Sequence, residues 1–167
     1  TWKKVAGATG YVIKRQAGSG EWKTVKTVSG GNVVTYTDAY ANTNGTKYTY
    51  RVYAKAATGT SNLYVASVCY KVLRPAIKSV TNSASKKMTV KWAKNAKANG
   101  YKLQYSLKSN FSGAKTWDSK KNSVISWTQG GLTKGKKYYV RMRTYKKVGS
   151  KKYYSTWSAT KTVVIKK

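Results

Sequence analysis

The 167-residue chain reads as all-β, two tandem antiparallel β-sandwiches of which the first lacks its N-terminal strand or strands. Three observations predict this. Trp2, Gly10, Tyr11, Tyr48 and Arg51 reappear as Trp92, Gly100, Tyr101, Tyr138 and Arg141, each pair 90 residues apart. Two copies of one small unit mean two modules, set here at residues 1–73 and 74–167. The apolar pattern alternates with period two, and no stretch shows a helical period. Gly and Asn clusters punctuate the chain at 18–20, 30–32, 42–45, 99–100, 130–131 and 149.

The strands follow in order. Residues 11–15, 33–37, 48–54 and 63–72 form the first module. Residues 88–92, 101–106, 124–128, 138–145 and 158–165 form the second. All are short and rich in Val, Tyr, Trp and Thr, which suit a pleated, half-buried surface. Alternation assigns the faces. Tyr101, Leu103 and Tyr105 point to the core, while Lys102 and Gln104 face water. Tyr138, Val140 and Met142 point inward, while Tyr139, Arg141 and Arg143 point outward. Trp92 lies 17 residues after Pro75, whereas Thr1 alone precedes Trp2, so the first sandwich is expected to lack about 16 residues. Two readings stay open: a chain cut from a longer parent protein, or strands donated by another chain.

These residues carry a resemblance. The early core Trp (Trp2, Trp92), the Gly-Tyr-x-aliphatic strand (Gly10 to Ile13, Gly100 to Leu103) and the later Tyr-x-x-Arg strand resemble fibronectin type III modules, an immunoglobulin-like sandwich. The stretch from Leu132 to Tyr138 is similar to the family's corner, where the Tyr hydroxyl bonds back to the preceding backbone. Asn42 stands where the family prefers Leu, which makes the first module's corner the weaker match. The Lys-rich strand 138–147 and the segment 153–158 resemble tandem modules of secreted or wall-attached Gram-positive bacterial proteins. The resemblance covers nearly the whole chain and specifies fold rather than function.

Composition narrows the chemistry. There are 34 Lys plus Arg, three acids and no His, giving net charge +31. Acid–base catalysis relies on His or paired carboxylates, and metal sites on His, Cys or several carboxylates. The expectation is therefore no enzyme, no catalytic residue, no cofactor and no metal. Cys69, the one thiol, forms no internal disulfide and is expected to be buried and inert. No apolar run is long enough to span a membrane as a helix.

Charge divides unevenly, net +8 in the first module and +23 in the second. Lys94 and Lys97 lie between the second and third strands of the second module, and Lys146, Lys147, Lys151 and Lys152 form the turn of a hairpin spanning 138–157. By the family's topology both loops fall at one end, with Arg74 and Lys78. Lys108, Lys115, Lys134, Lys136 and Lys137 fall at the other. Six clustered lysines suit an anionic polymer such as teichoic acid, sulfated glycan or DNA. The bland alternative is a set of solvated lysines that keep strand edges apart.

Tyr139, Arg141, Arg143 and Tyr145 invite a nucleic-acid reading, in which rings stack bases. Against it, Tyr154-Ser155-Thr156-Trp157-Ser158 is similar to the Trp-Ser-x-Trp-Ser box of cytokine-receptor modules. That resemblance implies a structural ladder of Arg141, Arg143, Tyr154 and Trp157, which would occupy the aromatic faces. Trp22, Trp117 and Trp127 are read either as carbohydrate platforms or as sandwich edges.

The expected function is a non-catalytic extracellular spacer and adhesion pair, secreted or cell-wall associated, with other domains of a parent chain beside it. Two alternatives remain: a filament or surface-layer subunit completed by a neighbour's strands, hence a possible homo-oligomer, and a nucleic-acid-binding module.

Overall fold

The structure, a computed structural model, describes residues 1–166. It contains twelve strands and, among the described residues, no helix. The chain divides into two compact units, Thr1–Lys71 and Val72–Lys167. The division falls two residues before the expected boundary because Val72 is buried and the Leu73 carbonyl accepts bonds from Asn95 Nδ2 (2.9 Å) and Thr144 Oγ1 (2.7 Å), both in the second unit.

The first unit is one antiparallel sheet in the order β2-β1-β3-β4. Its strands are β1 (Gly10–Ala17), β2 (Trp22–Ser29), β3 (Lys47–Ala56) and β4 (Gly59–Tyr70). β2 was missed in the sequence, because Lys23 and Lys26 interrupt its apolar pattern. Residues 33–37, expected as a strand, form none. Their backbone bonds are Trp2 N–H to Val34 O at 3.0 Å and a local turn bond from Val33 N–H to Gly30 O at 3.1 Å, where a ladder needs several. Trp2 and Tyr36 line one cleft with Ile13 and Tyr48. Trp2 meets Tyr11 edge-on at 5.2 Å. The Tyr11 hydroxyl accepts from Val5 N–H and donates to Gly31 O.

The second unit is a two-sheet sandwich. One sheet runs β11-β10-β7-β8 with β12 also on β10, and the other runs β5-β6-β9. The strands are β5 (Ile77–Ala84), β6 (Lys87–Trp92), β7 (Gly100–Ser106), β8 (Lys115–Ser119), β9 (Ser126–Gln129), β10 (Lys137–Val148), β11 (Lys151–Tyr154) and β12 (Lys161–Val164). The alternation read from β7 and β10 holds. Tyr101, Leu103, Val140 and Met142 are fully buried, while Lys102, Gln104, Arg141 and Arg143 are half-buried on the other face. Trp117 and Trp127 stack on each other at 5.5 Å and continue to Trp92 and Tyr105, so they close the core's edge.

The 90-residue repeat is explained by geometry. Trp92 meets Tyr101 at 5.4 Å and 65°, nearly repeating Trp2 and Tyr11 at 64°. Tyr101 Oη accepts from Asn95 N–H and donates to Asn122 O, as Tyr11 does with Val5 and Gly31. A Cβ at Gly100 would lie 2.1 Å from Ser119 O, and one at Gly10 would lie 2.3 Å from Val28 O. Glycine is required there because the neighbouring strand passes too close for any side chain. Both corners form. Tyr48 Oη accepts from Thr43 N–H at 3.1 Å, and Tyr138 Oη from Thr133 N–H at 3.0 Å. Leu132 is buried beneath its corner while Asn42 is exposed, so the hydroxyl bond does not depend on the Leu.

Candidate functional site

The lysines singled out in the sequence stand on two segments of the second unit. Lys94 and Lys97 are exposed in the β6–β7 loop, either side of buried Asn95. Asn95 fixes the loop: its N–H donates to Tyr101 Oη, and its side chain accepts from Lys97 N–H while donating to Leu73 O. Lys146 and Lys147 lie just before Val148 at the end of β10, and Lys151 and Lys152 open β11. All four lie on strands rather than in the turn, which is Gly149-Ser150. Sequence reasoning missed this because lysine clusters favour no particular element.

Two hydrogen bonds draw the segments together. Asn99 N–H donates to Tyr145 O at 2.8 Å, and Lys147 N–H donates to Asn99 Oδ1 at 2.9 Å. Thr144 and Asn95 also share the Leu73 carbonyl, so the base of the β10–β11 hairpin, the β6–β7 loop and the residue before Arg74 meet at one end of the unit. Lys147 stands directly opposite Lys152 in the ladder. A like-charge pair at that position is destabilising unless a counter-charge is present. Lys152 Nζ lies 4.4 Å from the Tyr145 ring centroid, and Lys151 Nζ 5.0 Å from that of Tyr153. Burial raises the Tyr145 phenol pKa, against the opposing pull of Lys152.

At the other end, Lys108 and Lys115 line a cleft of about 440 Å³ with Tyr105, Gln129 and Thr133. Lys134, Lys136 and Lys137 are exposed in and after the corner turn.

The outward face of β10 carries a stack. In order it runs Phe111, Arg141, Trp157, Arg143 and Tyr154, with guanidinium-to-ring distances of 4.0, 4.5, 4.4 and 3.9 Å. Gln104 Oε1 accepts both Nε and Nη2 of Arg141, at 2.9 and 2.8 Å. Burial and the neighbouring Arg143 charge lower the Arg141 pKa. Ser155 and Ser158 tie the segment to β10: their hydroxyls accept Thr144 and Met142 N–H, and their own N–H groups donate back to the same two residues. The pattern explains why β11 and β12 are separate strands although the segment between them stays docked. Phe111 closes the stack from a turn with φ of 61°. Nothing in its sequence neighbourhood signals that role.

The first unit has a smaller counterpart. Arg51, the repeat of Arg141, lies between Trp22 at 4.1 Å and Tyr64 at 4.2 Å. Trp22 is thereby engaged as a partner of Arg51. Tyr145, invoked for base stacking, is buried with its hydroxyl on Ser119 O at 2.9 Å, so its ring offers no open face. Cys69, expected in a core, is exposed on β4 instead. Burial on its covered side and the Asp38 carboxylate raise its thiol pKa, with Lys71 opposing. Among the described residues no cluster of His, Cys, Asp or Glu is fit to hold a metal.

Tandem all-β, antiparallel units with these repeated corners define the class as fibronectin type III-like modules. Residues 78–166 match the family model of the cytokine receptor-like factor 2-like D2 domain, more than half of the chain, and the chain belongs to that family. Such domains are typically extracellular and non-catalytic, and no helix of the described residues is long and apolar enough to cross a membrane. Among solved structures, the FN1–FN3 domains of chicken CNTN1 match with 21% identity and TM-score 0.48, over 95% of this chain and 54% of that one. The chain thus spans about half of that structure. A two-domain fibronectin type III segment of chicken tenascin matches at 16% identity and TM-score 0.48, over 96% of this chain and 86% of that one. No curated protein matches.

Proposed function

We propose that this chain is a spacer and adhesion module pair of an extracellular surface protein, whose second unit docks on anionic polymers through its lysine end. Teichoic acid, sulfated glycan and DNA share the chemistry required, a flexible line of fixed negative charges. The observation that carries the reading is the pairing of Lys147 against Lys152 at a hairpin tethered to the loop bearing Lys94 and Lys97. Facing like charges across a ladder cost stability, and an anionic partner would offset that cost. Lysine suits a polymer of irregular charge spacing, since a flexible ammonium demands no single geometry. The Lys-rich style of residues 138–147 supports a cell-wall setting in Gram-positive bacteria.

The test is a salt series of binding to teichoic acid, heparin and duplex DNA. The variant Lys146→Glu/Lys147→Glu/Lys151→Glu/Lys152→Glu is expected to bind at least ~10-fold more weakly, and its log–log salt slope on duplex DNA to shrink by ~3. An unchanged slope with the fold intact would remove the lysine end from the function. Equal affinity for all three polymers marks generic charge adhesion, whereas a preference that survives high salt identifies a shaped site.

A further inference from the structure

A third lysine-bearing segment is tied to the two that make the lysine end. Ser119 ends β8, and the turn after it carries Lys120 and Lys121, both exposed. In sequence neither is near the β6–β7 loop or the β10–β11 hairpin.

Tyr145 holds this turn to the hairpin. Its hydroxyl donates to Ser119 O at 2.9 Å. On the way its ring crosses Gly100, where an added Cβ would lie 2.7 Å from Tyr145 Oη. Lys152 Nζ sits 4.4 Å from the centroid of the same ring. One tyrosine ring therefore separates the Lys152 ammonium from the carbonyl that precedes Lys120. Asn122 holds the turn to the β6–β7 loop. Its side chain donates to Ala96 O at 3.3 Å, next to Lys97, and its carbonyl accepts from Tyr101 Oη at 3.0 Å. Ser119 Oγ accepts from Lys121 N–H and donates to Lys121 O, which shapes the turn itself. The unit's one acid, Asp118, faces Lys102 at 3.8 Å. Crowded cations repel one another, and an anionic partner touching all three segments relieves the whole set.

We propose that Lys120 and Lys121 belong to the docking surface, so that a polymer carrying phosphate or sulfate groups crosses the sheet from β11, over β10 and β7, to the turn after β8. The proposal rests on the polymer-docking reading and adds to it two residues and a direction. The strand order β11-β10-β7-β8 sets the path at three strand spacings, about 14 Å. A span of that length calls for a chain of charges rather than a single ion.

Binding of the full chain to duplex DNA and to heparin across a salt series tests this. Lys120→Gln/Lys121→Gln changes two exposed side chains and is expected to lower the log–log salt slope on duplex DNA by ~2, with the heparin slope falling as well. Lys120→Arg/Lys121→Arg is expected to retain the wild-type slope. Lys134→Gln/Lys136→Gln removes the same charge at the opposite end and is expected to leave the slope unchanged. A drop on one polymer alone also supports the surface and identifies its partner as the phosphate or the sulfate chain. Wild-type slopes on both polymers for Lys120→Gln/Lys121→Gln, or an equal drop for the opposite-end variant, would overturn the proposal. The Lys-to-Glu hairpin variant separates the two levels. If it keeps the wild-type slope, the docking reading itself falls. If it loses slope while Lys120→Gln/Lys121→Gln does not, only the crossing path falls.

Discussion

Asp38 is one of three acids in the chain, and its carboxylate is fully employed. It accepts from Arg15 Nη1 at 2.7 Å, Tyr50 Oη at 3.0 Å and Tyr40 N–H at 3.0 Å, with 5% of its side chain exposed. Such a charge needs these partners, because burying it unpaired is costly. Burial, then the bond to Asp38 and its charge, raise the Tyr50 phenol pKa above the ordinary value. A raised pKa means that the folded state holds the proton more tightly. This stabilisation is complete below the ordinary tyrosine pKa of about 10 and is lost as pH climbs through the folded value. Tyr50→Phe is therefore expected to flatten the alkaline loss of first-unit stability above pH ~10, read by thermal melts across pH. At neutral pH it costs about 1 kcal/mol for the lost hydrogen bond.

Among the elements, the segment linking β11 to β12 does the most with the fewest residues. Trp157 lies between two guanidinium groups, and Ser155 and Ser158 replace ladder bonds with hydroxyls. Trp157→Ala removes two cation–π contacts and is expected to cost about 1–4 kcal/mol of second-unit stability, measured as a shift in urea midpoint. Much of this was legible. The Tyr-Ser-x-Trp-Ser spacing and the two arginines at alternate positions of β10 mark one outward row. Phe111 and Gln104 were not, because a turn aromatic and a strand glutamine acquire meaning only once the fold brings them against Arg141. The same limit explains β2 and residues 33–37: local alternation is disguised by Lys23 and Lys26 in the first, and suggests a strand without a ladder in the second. Glycine positions were legible as punctuation, yet Gly10 and Gly100 are fixed by a passing carbonyl, a long-range contact that spacing does not reveal.

At the scale of the molecule, the two units differ in what holds them. The second has a contiguous cluster of twelve buried apolar residues between two sheets. The first buries Tyr11, Ile13 and Tyr48 against one sheet and relies on hydrogen bonds such as those of Asp38. Apolar burial is the main stabilising term, so unfolding is expected in two steps, the first unit melting well before the second. Scanning calorimetry resolves them, and a single cooperative transition would show the units to be coupled. The charge division between the units was readable from sequence, but the lysine end as a place required Asn99, Thr144 and Leu73 to bring separate segments together.

The lysine end has one more property. With no histidine anywhere in the chain, no imidazole stands ready to gain or lose a proton in the mildly acidic range. If the lysine end docks as proposed, the protein brings no imidazole switch to that grip, and dissolved salt rather than acidity is its dial.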